Sequence, residues 1–316
     1  MDTALDPAAF TTHRAEIRDG VTLAFVREGI GGLPLLLVHG YPETKRIWWR
    51  NIAPLAEAGF EVIAPDLRGH GESDLVPGGF YDLAAYAMDM YSLVHDVLGH
   101  ERCVTAGGDV GGPVIYDLAL RYPGFVTRQC IFNTSAPVLG EIYDEAGLTP
   151  DPPRATRQTS DYFVRQGRDG DALMAELDTP ERRREWVAAM YGHRLWAAPG
   201  KFTRADVEFM TEPYGDADRL RAAWAVYEVA AGTREMEDAP RLFEKTPVPT
   251  LVLYGPEDHV ITSGFPARMA VACDECIGPF VVEDAGHFLQ WEAADVLNGA
   301  LRYFCGDLLA AHATTR

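Results

Sequence analysis

The run Ala106-Gly107-Gly108-Asp109-Val110-Gly111-Gly112 stands directly after a short apolar segment, Arg102–Ala106, and before a stretch of helical spacing from about Pro113 to Arg121. Small residues on both sides of one aspartate permit a sharp strand-to-helix turn, which strains the backbone and keeps neighbouring side chains clear of the central one. The plain alternative is an aspartate that caps the following helix. A cap accounts for Asp109 and leaves the flanking glycines unexplained, so the segment reads as an elbow that presents a carboxylate.

The rest of the chain fits a frame for such an elbow. Apolar runs bounded by turn residues recur at Val21–Val26, Leu35–Val38, Glu61–Ala64 and Gln129–Phe132, and each reads as a strand. Between them lie helical periods, as in Tyr81–Leu98 with Leu83, Tyr86, Ala87, Met90, Leu93, Val94 and Val97 on one face. This alternation predicts an α/β fold with a mostly parallel central sheet and helices on both faces. From Val138 to about Pro240 the pattern changes to charged, Trp- and Tyr-rich helical stretches punctuated by Thr149-Pro-Asp-Pro-Pro153, Ala198-Pro-Gly200 and Pro213. Strands resume at Thr250–Tyr254 and Phe280–Glu283. The expected organisation is a core over residues 1–137, a helical cap over 138–240, and the rest of the core over 241–316.

Composition narrows the partners. The formal net charge of −19, from 28 basic and 47 acidic side chains, repels nucleic acid and anionic membrane surfaces. No apolar run approaches the roughly 20 residues that span a bilayer, and the first residues lack a secretory pattern, so a cytoplasmic protein without membrane insertion is expected. A homodimer remains open. Five cysteines do not form the even framework of a small secreted domain. Cys273-Asp-Glu-Cys276 has no second CxxC or nearby His to complete a metal set, so ordinary reduced thiols are expected.

Open α/β sheets bind ligands beyond the carboxyl ends of their strands. Asp109 follows one strand there, Glu257-Asp258-His259 another, and Asp284-Ala-Gly-His287-Phe288 a third. Alone, His287 reads equally well as a buried histidine with satisfied nitrogens; together with the two acids it forms a candidate catalytic set. The fourth such position is His39-Gly40-Tyr41-Pro42. With Asp66-Leu-Arg-Gly-His-Gly-Glu-Ser-Asp74, Gly108-Asp109-Val-Gly-Gly112 and Gly286-His-Phe-Leu-Gln-Trp-Glu292, it makes the sequence resemble the α/β-hydrolase-fold family, in its epoxide-hydrolase and dehalogenase branch. The likeness covers nearly all of the core.

The order nucleophile, acid, histidine is that of α/β-hydrolases. The resemblance implies Asp109 as nucleophile, His287 as base and Asp258 as its orienting acid. Glu257 competes for that last role, and Asn133 occupies the place after the Gln129–Phe132 strand where some relatives carry the acid. It further implies an oxyanion hole from the main-chain N–H groups of Tyr41 and Val110, with His39, Pro42 and Asp66 supporting the loops. N–H donors at a helix start suit a developing negative charge whatever the family.

An aspartate nucleophile suits displacement at saturated carbon, giving an ester that water then cleaves at its carbonyl. No metal or organic cofactor enters this scheme. Haloalkane dehalogenases usually carry Trp directly after the nucleophile, and fluoroacetate dehalogenases Arg; Val110 supplies neither donor. Epoxide hydrolases resemble one another in two cap tyrosines that hold the epoxide oxygen. Tyr227, in Ala223-Trp-Ala-Val-Tyr-Glu228, matches the second. For the first, Asp161-Tyr162-Phe163 resembles the early cap segment, although Thr159 stands where many relatives have their tyrosine, and Tyr191 is the rival. Such tyrosines also serve simply as packing residues with a wet hydroxyl. Ile47-Trp48-Trp49, Trp186, Trp196 and Trp224 fit a pocket for a small apolar or aromatic epoxide, and core packing explains them equally well. The reading is an epoxide hydrolase using water. The alternatives are a haloalkane or haloacid dehalogenase with the same triad, and a non-catalytic small-molecule-binding member of the fold.

Overall fold

The computed structural model describes residues 5–76, 78–148, 161–192 and 196–314. Its centre is an eight-stranded sheet: β1 (Thr12–Glu16), β2 (Thr22–Glu28), β3 (Leu33–Val38), β4 (Phe60–Pro65), β5 (Cys103–Gly108), β6 (Val126–Phe132), β7 (Thr250–Tyr254) and β8 (Cys276–Val281). They lie in the order β1-β2-β4-β3-β5-β6-β7-β8. β2 pairs antiparallel with both β1 and β4, and every later pairing is parallel. The parallel centre explains the unbroken apolar run of β3, because a strand covered on both faces has no solvated side to alternate toward; Pro34 to Val38 are all buried.

Four features differ from expectation. β1 was not anticipated: its residues Thr-His-Arg-Ala-Glu carry no apolar alternation, and the strand is half exposed at the sheet edge. The helical period of Tyr81–Leu98 forms an α-helix only over Leu83–Tyr91, started by the Asp82 carboxylate accepting from Ala84 and Ala85 N–H, and then widens into a π-turn over Ser92–Val97. The helix after β5 begins at Gly111, two residues earlier than its spacing suggests. The last strand, expected at Phe280–Glu283, instead occupies Cys276–Val281.

Among the described residues between β6 and β7 there are helices and no strand, with α-helices at Gly140–Glu145, Asp161–Arg168, Gly170–Glu176, Pro180–Gly192, Arg204–Thr211, Ala217–Ala223 and Ala225–Ala231. The helices Asp161–Arg168 and Ala225–Ala231 lie so close that a Cβ on Gly167 would stand 2.7 Å from the Tyr227 carbonyl oxygen. This segment meets the core at the carboxyl edge of the sheet. The His287 N–H donates to Trp196 O at 2.7 Å, and the Tyr191 hydroxyl donates to Pro42 O. Thr149–Pro153 and Thr159 lie outside the described residues. Among the described residues no helix is long and apolar enough to cross a membrane.

Candidate active site

Six strand ends converge on one locus. Tyr41 follows β3, Asp66 β4, Asp109 β5, Asn133 β6, Asp258 β7 and His287 β8. Asp109 has φ +45°, a left-handed conformation that costs a non-glycine residue free energy. The turn can be this tight because Gly111 lies against β3, where a Cβ would come within 2.2 Å of Val38 O. The Asp109 N–H donates to Asn133 O at 3.1 Å, and Thr134 Oγ1 donates to Asp109 O, so β6 braces the elbow. Asp109 therefore heads the turn under tertiary constraint; it does not act as a simple cap.

The two carboxylate oxygens of Asp109 face different partners. Oδ1 accepts from the Tyr41 N–H at 2.7 Å, and the Val110 N–H also donates to the carboxylate. Oδ2 lies 3.2 Å from His287 Nε2. The other ring nitrogen, Nδ1, lies 2.8 Å from Asp258 Oδ2, so the histidine is engaged by Asp258 and not by Glu257. Asp258 is fixed in turn: Oδ1 accepts from Val260 and Ile261 N–H, and Oδ2 accepts from Asn133 Nδ2 at 2.9 Å. Asn133 is itself clamped to Gly255 by two hydrogen bonds.

Burial pushes the Asp109 carboxyl up, but the His287 bond and charge and the Tyr41 and Val110 N–H groups outweigh it and hold it below the usual carboxylate range. Burial pulls the His287 imidazole down, and Asp258 with Asp109 more than reverses this, raising it well above the ordinary value. The anions facing the ring thus favour its charged, imidazolium form. Removing the charge from Asp109 lowers the proton affinity of His287, because one of the anions that holds its proton is gone.

His39, Asp66 and Pro42 lie on the loops around the site. His39 Nε2 accepts from Leu67 N–H at 3.0 Å, which leaves Nδ1–H to donate to Gly40 O at 2.9 Å, and burial keeps the ring neutral. Asp66 accepts from Lys45 N–H, Lys45 Nζ and Glu72 N–H. Pro42 carries the carbonyl that receives the Tyr191 hydroxyl.

Among the candidate tyrosines, Tyr227 packs edge-on against the Tyr41 ring at 5.1 Å. Tyr162 lies 5.8 Å from Tyr227 and 4.9 Å from Trp196, whose indole stands edge-on to His287 at 4.8 Å. Tyr162 and Tyr227 thus share one aromatic cluster bordering the histidine and the oxyanion loop. Tyr191 stacks on Phe288 and spends its hydroxyl on Pro42. Of the tryptophans, Trp196 borders the site and Trp186 and Trp224 stand over Tyr41, whereas Trp48 packs on Phe132 and Trp49 on Phe10.

Three residues escaped the sequence reading as participants. Glu43 is buried with Oε2 accepting from Gly40 N–H at 2.6 Å and Oε1 from Gln290 Nε2 at 2.8 Å, and burial pushes its carboxyl up to about 7. Glu292 accepts from the N–H groups of Ala198, Gly286 and Phe288, pinning the loop that carries His287; burial raises it to about 6. Glu43 abuts one sequence motif and Glu292 closes another, and a carboxylate at the edge of a motif in an apolar stretch is a usable signal. Asn133 stood only as the place of a missing acid; it binds the acid instead.

This geometry defines an α/β-hydrolase, and a family model described as alpha/beta hydrolase fold matches residues 34–294. The chain belongs to the α/β-hydrolase-fold family, and it is a hydrolase. It is similar to a soluble epoxide hydrolase of Corynebacterium sp., 29% identical over 93% of this chain and 97% of that protein. It is similar also to epoxide hydrolase A of Mycobacterium tuberculosis, 26% identical over 94% and 98%. A pig bifunctional epoxide hydrolase 2 is 38% identical over 133 residues, 42% of this chain and about a quarter (24%) of that protein's length. Among solved structures, the epoxide hydrolase CorEH superposes with a TM-score of 0.80 over 95% of this chain and 99% of that one, at 24% identity, a likeness of fold.

Proposed function

We propose that this protein is an epoxide hydrolase that opens a small apolar or aromatic epoxide to a vicinal diol through an ester on Asp109, with residues 138–240 as the cap over the site. The observation that carries the reading is the division of labour at Asp109: Oδ1 is held by the Tyr41 N–H while Oδ2 faces His287, and the Val110 N–H also donates to the carboxylate. Oδ2 attacks an epoxide carbon, the ring C–O bond breaks, and a cap phenol, Tyr227 or Tyr162, gives its proton to the leaving oxygen.

Ester formation removes the charge of Asp109, so His287 gives up its proton to the tyrosinate and becomes a base. Held by Asp258, it takes a proton from water, whose oxygen attacks the ester carbonyl. The oxyanion forms at the former Oδ1, against the Tyr41 and Val110 N–H groups. Collapse expels the diol alkoxide, which takes the proton of the new carboxyl group. Carboxylate, imidazolium and phenol are then all restored.

A dehalogenase is less well supported. Val110 offers no side-chain donor, and the indole N–H groups of Trp186 and Trp224 are taken up by Gln166. The names of the relatives support epoxide over halide. The test is a pooled screen of epoxides against haloalkanes and haloacids. Diol from an epoxide is the expected result; halide release without diol formation overturns the assignment.

A further inference from the structure

Tyr41 does two things. Its N–H holds Asp109 Oδ1, and its phenol enters the helical segment between β6 and β7, where the hydroxyl is fully enclosed. Gln166, on the helix Asp161–Arg168 and itself without exposure, waits there. In the orientation that satisfies its neighbours, its amide oxygen accepts from the Tyr41 hydroxyl at 2.6 Å, Trp186 Nε1 at 3.1 Å and Trp224 Nε1 at 3.2 Å. Trp224 Nε1 also lies 3.2 Å from the Tyr41 oxygen. The three donors come from the oxyanion loop and from the helix Pro180–Gly192 and the junction of Ala217–Ala223 with Ala225–Ala231. A buried hydroxyl or indole N–H left without an acceptor is costly, so one amide oxygen shared three ways fixes the relative placement of all three.

We infer that Gln166 is a positioning residue for the oxyanion hole: by anchoring the Tyr41 phenol it aims the Tyr41 N–H at Asp109 Oδ1. The inference rests on the ester mechanism proposed above and goes beyond it in assigning a step. While Asp109 is a carboxylate, the Tyr41 N–H stabilises the ground state, and Oδ1 loses charge as the ester forms. In ester cleavage Oδ1 gains charge. A misaimed N–H therefore leaves alkylation unchanged or faster and slows hydrolysis.

The experiment is rapid-quench single turnover with styrene oxide, following alkyl-enzyme and diol separately, on the wild type, Gln166→Leu, Gln166→Glu and Tyr41→Phe. The expected result for Gln166→Leu is ester cleavage slower by about tenfold, below the roughly hundredfold for outright loss of a hole donor, with ester accumulating. Gln166→Glu keeps an acceptor and restores cleavage, and Tyr41→Phe behaves like Gln166→Leu. If Gln166→Leu does not fold, Tyr41→Phe, which empties the same bond, decides alone. Equal slowing of both steps, or no change in their ratio, overturns the inference while leaving the ester mechanism intact. Failure of the wild type to form any ester overturns both.

Discussion

Glu43 sits one residue beyond Pro42 with its carboxyl enclosed between the Gly40 N–H and Gln290. Its pKa rises from 4.5 unfolded to about 7 folded because burial disfavours the charge and Asp109 adds to the penalty, against the pull of the Gly40 bond. A folded pKa above the unfolded one means that the stability contributed by the protonated carboxyl is complete below about 4.5 and is lost as pH rises through about 7. Glu43→Gln removes that titration and keeps a neutral group in place. The wild type should lose thermal stability relative to Glu43→Gln across that window, with the two curves parallel below it, as melting temperatures measured from roughly pH 4 to pH 8 will reveal. Parallel curves throughout would show that Glu43 is already ionised in the fold. The same logic governs His287, where Asp258 and Asp109 favour the charged ring and loss of either charge would weaken its hold on the proton.

The elbow between β5 and the helix Gly111–Arg121 depends on close approach to β3. A methyl group at Gly111 would stand 2.2 Å from Val38 O, which is backbone and cannot swing aside. Gly111→Ala should displace Asp109 from the Tyr41 N–H and reduce turnover by about a hundredfold, the usual effect of an ångström-scale misplacement, as steady-state diol formation will measure. An unaffected rate would mean that the elbow tolerates separation from β3. The elbow, the parallel strands and the meeting of Asp109, Asp258 and His287 were readable because each rests on a local requirement: glycine where backbones touch, apolar runs where both faces are covered, polar residues directly after strand ends. β1 was not readable, since an edge strand of Thr-His-Arg-Ala-Glu satisfies no burial pattern. Gln166 was invisible for a different reason. Its partners lie 125 and 58 residues away at Tyr41 and Trp224, and Trp186 belongs to yet another helix, so nothing local marks it.

At the scale of the whole molecule, the sheet brings Asp109, Asp258 and His287 together from separate strand ends, and the helices between β6 and β7 carry Tyr162 and Tyr227. The net charge of −19 disfavours polyanions and would leave the neutral substrate proposed above unhindered. Such a division would let the core hold the Asp109 carboxylate independently of what the proposed cap admits, in keeping with one fold that hosts many hydrolytic chemistries. What would set this chain apart from a serine-type relative, under the proposed ester mechanism, is that an oxygen of the enzyme itself enters the product. A single turnover with excess enzyme in heavy-oxygen water tests this most directly: the account requires an unlabelled diol and one heavy oxygen in the peptide carrying Asp109. A labelled diol from that first turnover, with no label in the Asp109 peptide, would contradict it, because water would then have attacked the epoxide itself.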